Sequence, residues 1–171
     1  MEIKNFAKAI GTYFFTEILC LFLALTLSAI GGGLARLISC ICTIGILVCL
    51  YINFAVNRAK SDQHQKIDGT VLRRFLLSGA VTLPYVIWGI CLLLARGGVL
   101  PGTFYRWYKL LDAPFLQLCN LFSADVTAAT LSWGEAGILA LINLLPFAVV
   151  WVTYTLTRRG FVLEDLQYQK K

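Results

Sequence analysis

Residues 14–30 read FFTEILCLFLALTLSAI, an apolar run broken by one carboxylate, Glu17. Whether that run is a soluble core helix or a membrane span decides the fold. A hydrocarbon core ~30 Å thick needs about 20 helical residues to cross it. The run extends over about residues 12–31, with Glu17 as its single charge. Three further blocks of similar length follow at about 37–54, 75–95 and 133–156. In lipid each must be a helix, because every backbone N–H and C=O has to be satisfied internally. The fold class expected is therefore all-α, an integral membrane four-helix bundle forming a single membrane domain over residues 1–171.

Composition agrees. Hydrophobic residues make up 58% of the chain and charged residues 14%, with a mean hydropathy of +0.75. Soluble domains sit near ~45–50% apolar and ~25% charged. Lys4 and Lys8 precede the first block as in the n-region of a signal peptide. The block is longer than a 7–15-residue h-region and no A-x-A pattern follows it, so it is expected to stay as a span.

Lys and Arg in short loops mark the cytoplasmic side. Lys4, Lys8, Arg58, Lys60, Lys66, Arg73, Arg74, Arg158, Arg159, Lys170 and Lys171 fall on one side, against Arg36, Arg96, Arg106 and Lys109 on the other, eleven to four. A multi-pass protein of the cell membrane with both termini cytoplasmic is expected. The net charge of +6 is thereby accounted for without nucleic acid. The loop NRAKSDQHQKIDGTVLRR could also hold anionic lipid headgroups, each basic residue near the surface adding about 1 kcal/mol.

Each span offers a face of small or polar residues, the pattern that lets membrane helices approach closely. These are Thr12, Thr16, Cys20, Ala24 and Ser28 in span one, and Gly45, Cys49, Asn53 and Asn57 in span two. Span three has Ser78, Thr82, Tyr85 and Gly89; span four has Ala136, Ala140 and Asn143. Pro84 and Pro146 are expected to kink spans three and four, each removing a helical hydrogen bond. Ser132 and Glu135 have capping-box spacing, and Trp133, Trp151 and Tyr154 suit the aromatic belts of the two interfaces.

Between spans three and four, about residues 103–122, Phe104, Trp107, Leu111, Phe115, Leu118 and Phe122 fall on one helical face. Arg106, Lys109, Ala113, Gln117 and Asn120 cluster away from it. Pro114 implies two short helices or one kinked one, with Asp112 or Ala113 capping the second. An amphipathic helix in the interface plane fits this pattern; so do a lid over the bundle and a docking surface for a partner.

Glu17 carries the sharpest functional signal, since ionisable groups inside a membrane are costly and mark sites. If the hydrocarbon begins near Ala9 it lies about 12 Å deep, and if span one begins near Thr12 about 7 Å. Two readings stay open: a structural carboxylate pairing with Asn53, Asn57 or Arg58, and a proton- or cation-linked ligand site. Asn53 and Asn143 join Glu17 as ligand or coupling candidates.

Other chemistry is sparse. His64, the single histidine, sits in a polar loop, and one His with scattered cysteines assembles no metal site. IGGGLAR joins two spans rather than a strand and a helix, so it is a turn and not a phosphate loop. No nucleophile–base set is visible; no catalytic residue, cofactor or metal is expected, and an enzyme is not the expected class.

Three functional readings follow. The first is a non-enzymatic subunit or accessory factor of a larger membrane assembly, with a protein partner or a second copy packed on the small-residue faces within the lipid bilayer. The second is a small homo-oligomeric transporter or channel with Glu17 as the coupling or ligand carboxylate. Its carboxylate in the first span is similar to that of the small multidrug transporters, although those chains are shorter, with minimal loops. The third rests on layout. Four spans, inner termini and an outer helical segment resemble the quinone-linked thiol oxidase family. That likeness implies a disulfide from Cys119 to Cys40 or Cys42; this chain has C-x-C in SCIC where the family has C-x-x-C, and one outer-loop cysteine instead of a pair.

Overall fold

The computed structural model describes residues 3–161, with the side chains among them apart from those of residues 3–5 and 30. Lys170 and Lys171 of the charge count, with the rest of the C-terminal segment, lie outside the described residues. The helices are α1 (Ile3–Ile30), α2 (Gly33–His64), α3 (Val71–Arg96), α4 (Phe104–Leu111), α5 (Leu116–Phe122), α6 (Trp133–Ile142) and α7 (Leu145–Arg158). Phe6–Ala29, Gly33–His64, Val71–Arg96 and Trp133–Arg158 are long and apolar enough to cross a membrane. The described chain is a multi-pass, all-helical bundle.

Local chemistry sets the joints. Gly31 and Gly32 turn α1 into α2 at φ of 75° and 85°, a region glycine enters without a Cβ clash. At α6 the Ser132 Oγ accepts from the Glu135 amide at 3.2 Å while the Glu135 Oε2 accepts from the Ser132 amide at 2.7 Å. This is the capping box that the spacing predicts. Span four breaks at Asn143–Leu144 into α6 and α7, with Pro146 in the first turn of α7. Proline costs nothing there, where its missing N–H would have no helical partner, whereas α3 runs through Pro84 unbroken.

The helices pack α1 on α2, α2 on α7, and α3 on both α6 and α7. The half-helices of span four therefore have different neighbours, and α2 meets α7 at the end that carries the basic cluster. At that end Asp62 is fully buried. It accepts from Arg73 Nε at 2.6 Å and Nη2 at 2.8 Å, from the Tyr154 hydroxyl at 2.9 Å, and pairs with Arg58 at 2.9 Å. One carboxylate thus ties α2 to α3 and α7, with bidentate geometry on Arg73 that makes the contact directional.

At the opposite end the space between α1, α2 and α3 is filled by a helical hairpin. Here α4 and α5 are joined by a 3₁₀ turn, Ala113–Phe115. The turn packs on α1 and α2, α4 on α3, and α5 on α2. Two short helices split near Pro114 match the expectation; the buried face does not. Phe115 is buried, whereas Trp107 and Leu111 of the expected stripe are exposed. Tyr105, Tyr108, Lys109, Asp112, Ala113, Gln117 and Cys119 are buried instead. The break at Asp112–Phe115 shifts the helical phase, so the stripe is not continuous. The segment packs against α1, α2 and α3.

A second face is corrected on α2. Thr43, Leu47, Tyr51, Ala55 and Ala59 are buried, while Gly45, Cys49, Asn53 and Asn57 face outward. The expected faces of the other spans are largely used within the chain. Thr16, Cys20 and Ala24, then Ser78, Thr82 and Tyr85, then Ala136 and Asn143 are all buried. Lipid is as apolar as these side chains, so close packing and hydrogen bonds between helices supply the cohesion.

Candidate functional site

Phe6–Ala29 puts Glu17 eleven residues from one end of span one and twelve from the other, about 17 Å from each at 1.5 Å per residue. Glu17 does not pair with Asn53, Asn57 or Arg58. Asn53 accepts from Asn57 Nδ2 at 2.9 Å on the outward stripe of α2, and Arg58 is on Asp62. Glu17 points instead at the tip of the hairpin, where its Oε2 accepts from the Ala113 amide at 2.8 Å.

That tip interrupts the α-helical hydrogen bonding between α4 and α5 while packed on α1 and α2, an arrangement allowed in a membrane only where protein or a polar cavity satisfies the backbone. The spans supply the partners. Tyr13 donates to the Leu111 carbonyl at 2.9 Å, Thr43 to the Pro114 carbonyl at 2.9 Å, and Glu17 takes the Ala113 amide. Trp88 Nε1 in turn donates to the Tyr13 hydroxyl at 2.9 Å. Further out, Gln117 Nε2 donates to Ser28 Oγ at 2.8 Å, which ties α5 to the outer part of α1.

Beside the Ala113 amide sits a second carboxyl, Asp112, fully buried. The Asp112 carboxyl acts electrostatically on Glu17. Neither Asp112 oxygen has a hydrogen-bond partner, nor does Glu17 Oε1, although Tyr108 and Asn143 stand next to Asp112 and Tyr85 next to Glu17. Burial raises the Asp112 carboxyl from its ordinary 3.8 to about 7, with the neighbouring Tyr108 and Asn143 side chains opposing the rise. No basic residue is among the groups that act on either carboxyl. Lys109, nearest in sequence, turns away to donate to the Ser123 and Asp125 carbonyls at 2.7 and 2.9 Å.

Hydroxyls extend from the pair. Tyr51 and Tyr85 share a hydrogen bond at 3.2 Å, Tyr51 stands beside Thr16, and Thr16 donates to the Thr12 carbonyl at 2.7 Å. On the other flank Asn143, at the break in span four, donates to the Tyr85 carbonyl at 2.9 Å and accepts from Tyr108 at 3.4 Å. Gly89 makes room for it, since a Cβ there would lie 3.2 Å from Asn143 Nδ2.

Of the three ligand candidates, the structure brings Glu17 and Asn143 to one centre and leaves Asn53 apart. Sequence reading missed Asp112, Tyr13, Tyr51, Tyr85 and Tyr108 as members. The available signal was an aspartate set between apolar residues ahead of Ala-Pro in LLDAPF, which reads equally well as a helix cap. The cap is absent: no side chain caps α5. All six cysteines are free thiols; Cys20, Cys40 and Cys119 are buried, and Cys42 and Cys49 are exposed. His64 is exposed, and among the described residues no three His, Cys, Asp or Glu are grouped to hold a metal. Comparison with protein-family models, curated proteins and solved structures returns no match.

Proposed function

We propose that the chain is a proton-linked membrane transporter, with Glu17 and Asp112 as the pair that takes up and releases the proton. The observation that carries this is the meeting of two carboxyls inside the bundle, three of their four oxygens unpartnered, with no basic group acting on them among the described residues. Carboxyls kept dry without a counter-ion hold a proton in place of one, and such groups in spans mark proton relays. A discontinuous span whose break helps to line the site is a way transporters build their binding sites.

In this reading Asp112 exchanges its proton toward the hairpin end by way of Tyr108. Glu17 exchanges it toward the basic end by way of Tyr85, Tyr51 and Thr16. Asn143 and Tyr13 hold the groups in place. The basic end faces the cytoplasm, as the distribution of Lys and Arg favours.

The test is a flux measurement. The purified chain is reconstituted into liposomes that enclose a pH-sensitive dye, and a pH difference is imposed. The wild type should dissipate it; Glu17→Gln and Asp112→Asn should each slow the flux at least tenfold while folding normally. Gln keeps an acceptor for the Ala113 amide, so a loss of fold is not expected there. Flux in Glu17→Gln equal to wild type, or none in a folded wild type under any imposed gradient, overturns the proposal.

A further inference from the structure

Asn53 and Asn57 belong to the span Gly33–His64 and are exposed on its outer side, where hydrocarbon would offer an amide nothing to bond. Asn57 Nδ2 donates to Asn53 Oδ1 at 2.9 Å, and the Asn53 amide nitrogen has no partner among the described residues. Polar side chains within spans face the bundle interior or a water-filled cavity. These two line a groove of about 520 Å³ between the first half of α1 and the second half of α2, with Thr12 and Ser61 on the same wall. A water takes up about 30 Å³ of liquid, so the groove has room for a file of several. Lys8 also borders it, and an ammonium there disfavours metal cations.

The groove ends beside the hydroxyls of the candidate site. Thr12 lies one turn before Thr16 on the same face of α1, and its carbonyl accepts from Thr16 at 2.7 Å. Thr16 is fully buried and stands beside Tyr51. Tyr51 shares a hydrogen bond with Tyr85 at 3.2 Å, and Tyr85 is next to Glu17. One helical turn, about 5 Å, and three hydroxyls therefore separate the groove from the carboxyl pair.

We propose that this groove is the aqueous entry at the basic end, a water-filled half-channel that hands protons to Thr16. The inference rests on the proton-transport reading and names its route on one side. Thr16 takes a proton from the last water while its own O–H rotates from the Thr12 carbonyl toward Tyr51. Tyr51 passes a proton to Tyr85 and Tyr85 to Glu17, each hydroxyl giving one as it gains one. The hydronium becomes water and the Glu17 carboxylate becomes the acid.

The test is chemical access, read without transport. Thr12→Cys and Ile18→Cys chains are reconstituted in liposomes, and an anionic, water-soluble methanethiosulfonate is supplied on both faces of the membrane. Peptide mass spectrometry reads the adduct at each position apart from the native thiols. Ile18 is on the same helix, 68% exposed and outside the groove. Only a hydrated thiol ionises to the thiolate that reacts, so Thr12→Cys should label at least about tenfold faster than Ile18→Cys. Gly11→Leu places a side chain in the groove, at a position with open space around it, and should slow proton flux several-fold. Labelling of Thr12→Cys no faster than Ile18→Cys, or wild-type flux in a folded Gly11→Leu, overturns this inference and leaves the transport reading standing. A labelled Thr12→Cys in a chain that passes no protons upholds the water-filled groove and overturns the transport reading instead.

Discussion

Replacing Asp112 by asparagine should make the protein more stable, by an amount set by pH. The carboxyl is fully buried, neither oxygen has a partner, and burial raises it from 3.8 to about 7. A displacement of that size is worth about 4 kcal/mol. The sign follows from proton uptake. Below about pH 4 the group is neutral in both folded and unfolded chains and costs nothing. Between about pH 4 and about pH 7 the unfolded chain has ionised while the folded one holds its proton, so stability falls as pH rises. Above about pH 7 the full penalty remains. Asparagine has nearly the same shape and no proton to lose, so its advantage is absent near pH 4 and reaches about 4 kcal/mol near pH 8. For a chain of this size, 2–4 °C per kcal/mol makes that a gain on the order of 10 °C in Tm. Melting curves of wild type and variant in one detergent, from about pH 5 to about pH 8, give the answer. A variant less stable than wild type at the alkaline end, or a gain that does not change with pH, refutes the reasoning.

Two further predictions concern the joints of the bundle. Asp62→Ala removes the partner of Arg73, Arg58 and Tyr154. Breaking a buried pair costs about 3–5 kcal/mol; because Arg73 is 28% exposed and water takes up part of its charge, about 2–3 kcal/mol of lost stability is expected. A loss too small to resolve in denaturant or thermal melting would show that the pair is not a strut. Gly89→Val should cost about 1–3 kcal/mol by overpacking, because its Cβ would press on Asn143 Nδ2 at 3.2 Å and its methyl groups would add bulk against Ala140, whose Cα lies 3.5 Å from that Cβ. Gly137→Ala, with open space around it, should melt like wild type, and equal behaviour of the two variants would contradict the packing at the span-four break.

The spans were legible because their signal is local: twenty apolar residues in a row report the thickness of a bilayer whatever else the chain does. The capping box at Ser132 and the break ahead of Pro146 were legible for the same reason, each being a backbone rule with a fixed offset. The hairpin was harder. An apolar stripe states that a face is covered but not by what, and lipid headgroups and the tyrosines of neighbouring helices are interchangeable partners for it. Pro114 announced the split without announcing the change of phase that turned Trp107 outward and Tyr108 inward. The centre itself was mostly hidden. Tyr13, Glu17, Tyr51, Tyr85, Asp112 and Asn143 come from different elements, and no spacing in the sequence relates them. Glu17 was found because a charge within an apolar run is conspicuous; Asp112, in a mixed segment, was not.

The two carboxyls are not equivalent, and the difference separates structural work from chemical work. Glu17 performs a task that any acceptor could perform, closing the Ala113 amide left open at the tip of the hairpin. On that account alone glutamine would serve as well, and the retention of an acid would need another reason. Asp112 performs no such task. Its side chain makes no cap hydrogen bond, only the neighbouring Tyr108 and Asn143 side chains favour its charge, and it is placed where burial opposes that charge. A membrane protein under selection for stability alone would replace it by asparagine or leucine at little cost in packing. Its presence beside a second carboxyl, where the hairpin and the broken span meet, means that the fold carries an energetic penalty at that point. Penalties of this kind persist where function depends on them. A proton that can be held or released inside the bundle is the property an aspartate adds over its neutral isostere.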